Sequence, residues 1–180
     1  MAMIRLIDGR QLPEKDLDTI RDIYTGAFPP EERRDWKQVQ GLLAGESSFW
    51  LKAAYADEGL VGFITGWDFP DFIYMEHFAT APSARNKGYG AVIFREILSS
   101  CDRPHVIEVE RPDNEMAMRR IGFYERLGLK ISDRDYLQPP YAEGGSPVPM
   151  FIMTDKGYEK RWAEEIHRKV YSATSPVKTH

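Results

Sequence analysis

The spacing of apolar residues changes period several times along the chain, and each change marks an element. Met3 to Ile7 reads as a short strand. Leu17, Ile20, Ile23, Tyr24 and Phe28 then recur at helical spacing until Pro29-Pro30, where a residue without an N–H ends the helix. A second helix is predicted from about Asp35, with Trp36, Val39 and Leu42-Leu43 on one side and Gly45 as its stop. Phe49 to Tyr55 and Leu60 to Trp67 are β-rich runs on either side of the polar, glycine-containing turn Ala56-Asp57-Glu58-Gly59, which predicts a hairpin. Phe72 to Thr80 follows as a third strand.

Beyond it the pattern predicts a basic loop, Ala81 to Lys87, and a helix over Gly88 to Ser100 with Tyr89, Val92, Ile93 and Ile97 on one stripe. His105 to Arg111 is another strand, and the strand, helix, strand order implies a parallel crossover. Asp113 or Asn114 can cap a helix running to Leu127, with Gly128 suited to its C-terminal cap. Leu129 to Leu137 and Val148 to Thr154 read as strands flanking a long loop. From Asp155, the residues Tyr158, Trp162, Ile166 and Val170 step by four, predicting a final helix over 156–171. The expected organisation is one domain over 1–171 and a flexible tail over 172–180.

Composition narrows the function. Lys plus Arg number 24 against 28 Asp plus Glu, a net charge of -4 that argues against phosphate-driven nucleic-acid binding. The lone Cys101 excludes an internal disulfide and a multi-thiolate metal cluster, and fits a reducing cytoplasm. As it follows the apolar run Val92 to Leu98, it reads as a small helix-end residue rather than a nucleophile. No apolar stretch approaches the roughly 20 residues of a membrane span.

The chemistry concentrates in Arg85-Asn86-Lys87-Gly88-Tyr89-Gly90, between the end of a strand and the start of a helix. The first helical turn has N–H groups without partners and the positive end of the dipole, so this bend suits an anion. Gly88 and Gly90 would let a pyrophosphate approach the main chain, Asn86 tolerates a left-handed conformation, and Arg85 and Lys87 add charge. Two other phosphate loops fit less well. A Walker loop needs Gly-Lys-Ser/Thr, whereas Lys87 precedes Gly88, and a dinucleotide fingerprint wants a third glycine where Ile93 stands.

The run His77-Phe78-Ala79-Thr80-Ala81-Pro82-Ser83-Ala84-Arg85-Asn86-Lys87-Gly88-Tyr89-Gly90, followed by an apolar helix, resembles the acetyl-CoA motif of the GNAT-type N-acetyltransferases. Arg120-Ile121-Gly122-Phe123-Tyr124-Glu125-Arg126-Leu127-Gly128 is similar to that family's next helix. Asn86 stands where the family usually has Gly, and Leu129 where it has an aromatic residue. The resemblance implies an α+β fold with a central mixed, mostly antiparallel sheet of about six or seven strands and helices on both faces. It also implies acetyl-CoA as cosubstrate, no metal, and a small-molecule or peptide amine as acceptor, with a homodimer left open. The main chain of Phe78 and Thr80 would pair with the pantetheine arm, the loop amides would hold the pyrophosphate, and Asn114 would contact the cofactor arm or simply cap its helix.

An amine attacking a thioester needs a base to take its proton and an acid for the departing thiolate. Tyr124 resembles the family's general-acid tyrosine. For the base, Glu76 is preferred, with Glu108 and Glu110 on one face of the next strand to attract a cationic amine. His77, by strand alternation, is expected on the face opposite Glu76. Phe28, between the first helices, and Tyr141, in the loop Gln138 to Pro149, are the expected substrate contacts. The alternative reading is a module that binds acyl-CoA without turnover.

Overall fold

A computed structural model describes residues 3–172, so the tail expectation lies, from Ala173 on, outside the described residues. Seven strands form one sheet in the order β1-β2-β3-β4-β5-β7-β6. They are β1 Arg5–Asp8, β2 Phe49–Ala56, β3 Gly59–Asp68, β4 Ile73–Thr80, β5 His105–Glu110, β6 Lys130–Gln138 and β7 Val148–Thr154. Every neighbouring pair is antiparallel except β4 and β5, joined by the helical crossover that the sequence implied.

The helices are α1 Glu14–Ala27, α2 Trp36–Gly45, α3 Tyr89–Ser99, α4 Glu115–Arg126 and α5 Arg161–Ile166. Asp35 and Gln38 close a capping box at the start of α2, and Asn114 Oδ1 accepts the Ala117 N–H at 2.9 Å to start α4. One face of the sheet is covered by α1, α2 and α5, as Tyr24 against Phe63 and Trp162 stacked on Phe72 show. The other is covered by α3 and α4, with Phe94 set between Phe78 and Tyr124. Covered on both sides, β3 is buried from Val61 to Trp67.

The last helix departs from expectation. It begins at Arg161, not 156, because Gly157 takes φ +110° and Asp155 holds the His105 main chain (2.7 Å) and ring (3.0 Å) across β5. Beyond Ile166 it widens into a π-helical turn, His167–Tyr171.

Sheet packing leaves no room at Gly66, where an added Cβ would lie 2.2 Å from the Trp50 ring. Gly66→Ala should therefore cost about 1–3 kcal/mol of stability, read in chemical denaturation as a lower urea midpoint at unchanged m.

Candidate active site

The site begins where two strands part. The parallel ladder registers Ile73 with His105, Tyr74 with Val106 and Met75 with Ile107, and among the described residues it goes no further, although β4 runs on to Thr80 and β5 to Glu110. From Met75, the last paired residue, onward, Met75, His77 and Ala79 are buried while Glu76, Phe78 and Thr80 are half-exposed. At Glu76 the side chain is 0% exposed, so the open atoms there belong to the main chain. Ala81 donates its N–H to Val61 O at 2.8 Å, so by alternation Ala79 also faces β3, and the N–H and C=O groups of Phe78 and Thr80 face the gap.

The gap leads to the loop. After a 3-10 turn, Pro82–Ala84, the exposed residues Arg85 to Gly88 carry the chain into α3, with Asn86 at φ 64° and Gly88 at φ 80°. Gly88 caps α3 without a side chain, so no side-chain acceptor satisfies the N–H groups of the first turn. The two glycines serve different ends: Gly88 permits the left-handed bend, whereas a Cβ on Gly90 would sit 3.2 Å from the Phe78 ring. Tyr89 is buried, and Lys87 leans on Glu58 at 3.7 Å on the surface.

Glu76 and His77 lie together, against expectation. The register between β3 and β4 shifts beside Thr65, so two consecutive residues oppose one and both turn to the α1 face. His77 Nδ1 is 4.0 Å from Glu76 Oε2, and its Nε2 bonds the Glu32 carbonyl at 2.9 Å. Glu76 does not sit as a base. Its carboxylate is ion-paired with the buried Arg34 guanidinium and accepts Trp67 Nε1–H at 2.8 Å and Tyr141 O–H at 2.6 Å. Burial alone would push this carboxyl up. The Arg34 charge, His77 and the hydrogen bonds from Tyr141 and Trp67 together outweigh it and hold the group below its usual range.

Glu108, the next residue on β5 past the fork, has the opposite character. Its Oε1 accepts hydrogen bonds from Tyr74 and Tyr171, with Gln138 Nε2 at 3.5 Å, while its buried Oε2 has no well-formed partner among the described residues. Among the described residues no cation pairs with it; burial raises its pKa, and the hydrogen bonds from Tyr136, Tyr171, Tyr74 and Gln138 only partly offset that. A carboxyl held above its ordinary range is a better proton acceptor than one held below it.

The remaining expected residues are spread over both faces of the sheet. Tyr124, half-buried against Phe94 and Phe123, has its phenol pushed up to about 12 by burial and so keeps its proton at neutral pH. Glu110 stands at the mouth, 3.6 Å from Arg120 and close enough to Glu32 to help burial raise that carboxyl. Phe28 packs edge-on against His77, 4.7 Å between ring centres. Tyr141 is buried and its hydroxyl is committed to Glu76, so it pins its loop where a solvent-facing substrate contact was expected. Sequence reasoning missed Arg34, Trp67, Tyr136, His167 and Tyr171. Arg34 sits in a charged run, Trp67 and Tyr136 lie inside runs that read simply as strands, and His167 and Tyr171 lie off the apolar stripe of the last helix.

The family model described as Acetyltransferase (GNAT) family matches residues 17–129. The chain therefore belongs to the GNAT acetyltransferase family. A candidate acetyltransferase of that family from Bacteroides thetaiotaomicron is 36% identical, with a TM-score of 0.84 over 93% of this chain and 98% of its own. YjbC of Bacillus subtilis, a candidate acetyltransferase, is 28% identical over 105 residues, 57% of this chain, and the match spans about half (52%) of its length. Arabidopsis thaliana Naa50, solved with a bisubstrate analogue, CoA-Ac-MVNAL, shares the fold at 19% identity, covering 86% of this chain and 99% of that one with a TM-score of 0.60.

Removing one partner from the buried Arg34 and Glu76 pair strands the other charge. Glu76→Gln should cost about 3–5 kcal/mol in chemical denaturation. Because the folded pKa of Glu76 is depressed, its contribution is present above the unfolded carboxyl value of about 4.3 and is lost as pH falls through the folded value. Wild type and variant should thus converge in stability only below that range.

Proposed function

We propose that this chain transfers an acetyl group from acetyl-CoA to a primary amine of a small molecule or peptide, as a single catalytic domain over 1–171 working in the cytoplasm. The observation that carries this is the fork: unpaired main-chain groups at Phe78 and Thr80 lead straight into the bend Arg85 to Gly90, whose helix start is uncapped. An extended amide-bearing arm with a pyrophosphate at its end matches that series of donors and acceptors. Acetyl-CoA has this shape and supplies the acetyl group as a thioester.

The chain's own residues then divide the work. The main chain of Phe78 and Thr80 aligns the arm, and the amides from Asn86 to Gly90 with Arg85 and Lys87 hold the phosphates. Tyr89 anchors the helix start beneath them. Asn114 spends Oδ1 on its helix cap and offers its amide N–H groups to the arm. Tyr124 donates a proton to the leaving thiolate. Glu108 takes the proton from the amine, in place of Glu76, which holds Arg34 and Tyr141 in position. Glu32 and Glu110 draw a cationic amine to the mouth, where Phe28 forms a wall.

Calorimetry with acetyl-CoA and a thiol-release screen over acceptor amines test this reading. Binding with release of coenzyme A to some amine is expected; binding without turnover on any amine would make the chain an acyl-CoA sensor, and no binding by the folded protein would end the proposal. Tyr124→Phe should lower kcat by about 10²-fold while acetyl-CoA affinity stays within about twofold. As a base must be ionised, the rate should fall as pH drops through the raised pKa of Glu108, giving an acid limb above the ordinary glutamate value of about 4.3 that disappears, with most of the rate, in Glu108→Gln.

A further inference from the structure

A carboxylate buried beneath substrate must discharge each proton it collects before the next turnover. Glu108 is enclosed by Tyr74 from β4, Tyr136 and Gln138 from β6, and Tyr171 from the final turn, with Tyr141 and Tyr158 further out. The Tyr136 hydroxyl also meets a group that titrates near neutrality: His167 Nε2 lies 3.1 Å from Tyr136 Oη.

We propose that Tyr136 and His167 form the route by which the proton taken up at Glu108 reaches solvent. The proposal rests on the reading of Glu108 as the amine's base.

The placement of Tyr136 is unusual for its strand. β6 is an edge strand, and along it Tyr136 alone is buried. The pairing of β6 with β7 slips between Asp133 and Tyr136, a local irregularity of the kind that re-aims a side chain. Tyr136 registers with Met150 and Glu108 with Ile152, both on β7, so two strand spacings, about 10 Å, separate the strands that carry them, and the Tyr136 hydroxyl is among the hydrogen-bond donors to the carboxylate. Only a long side chain with a terminal hydroxyl bridges that separation and still exchanges a proton at its tip. At the far end, the π-helical turn carries both His167 and Tyr171, one toward Tyr136 and the other to Glu108. His167 is half-exposed, its ring also meets the Leu137 main chain, and Glu164 is the charged group beside it.

The proton count closes. The amine proton adds to the Glu108 carboxylate, to which the Tyr136 hydroxyl is hydrogen-bonded. Glu108 passes it to Tyr136 Oη as that hydroxyl gives its own hydrogen to His167 Nε2. His167, now a cation, releases a proton to water, and the carboxylate and phenol return to their starting states. Burial keeps the His167 pKa below its usual value, which favours that release. In this scheme Tyr136 and His167 touch neither amine nor thioester; they act through Glu108.

The test is steady-state kinetics on the full chain with acetyl-CoA and an amine that the wild type acetylates. His167→Gln keeps a polar contact with Tyr136 but cannot carry the proton; its kcat should fall at least about tenfold, with KM for both substrates and the thermal midpoint near wild type. The solvent deuterium effect on kcat should rise, and imidazole should restore the rate of His167→Ala. Tyr136→Phe should match His167→Gln in kcat without imidazole rescue. If Glu108→Gln is inactive but His167→Gln retains wild-type kcat and pH profile, the route is overturned while the base stands. If Glu108→Gln keeps full rate, both fall. Should Tyr136→Phe not fold, the imidazole rescue alone decides: a rate restored supports the route, and a rate unmoved by imidazole refutes it.

Discussion

Two parallel strands that separate leave N–H and C=O groups without partners, and a folded chain tolerates this only where water or a ligand can meet them. Here the separation follows Met75 and Ile107 and leaves Phe78 and Thr80 facing open space. A ladder continued to Thr80 and Glu110 would have sealed the sheet. The loop Arg85 to Gly90, the cap at Gly88 and the packing of Gly90 against Phe78 all extend from that opening. The fold thus places an extended binding edge and an anion-binding helix start in one line.

The fork also has to be held open, and the buried polar cluster on the α1 face does this. Arg34 comes from the segment between α1 and α2, Glu76 from β4, Tyr141 from the loop before β7, and the Val170 carbonyl, 2.7 Å from Arg34 Nη2, from the C-terminal turn. Four distant parts of the chain converge on one ion pair. Such a pair adds little net stability over an apolar replacement, but it fixes where each segment stops. That geometric exactness is what a site needs from its surroundings.

Neighbouring carboxylates acquire opposite characters from their partners. Glu76 and Glu108 occupy equivalent positions just past the fork, both with buried side chains. The guanidinium beside Glu76 favours its ionised form, whereas Glu108 meets neutral donors among the described residues and keeps the desolvation penalty largely uncompensated. The chain separates a structural anion from a reactive one by the choice of a single neighbour.

Much of this architecture was legible in residue order. Element type follows from local periodicity, so the strands, the crossover, a helix start near Asp35, a cap at Asp113 or Asn114 and the stop at Gly128 could be read directly, and the fourteen residues from His77 to Gly90 carried the family resemblance because backbone conformation there depends on local glycine and asparagine chemistry. The functional side chains were less accessible. Strict alternation put Glu76 and His77 on opposite faces, but the register shift beside Thr65, set by packing between β3 and β4, brought them together. The Arg34 and Glu76 contact spans 42 positions and the Tyr171 and Glu108 contact 63. Proton affinity depends on burial and on neighbours brought close by folding, so the sequence supplied the carboxylates and the tertiary structure alone decided which one holds the frame and which one is free to take a proton.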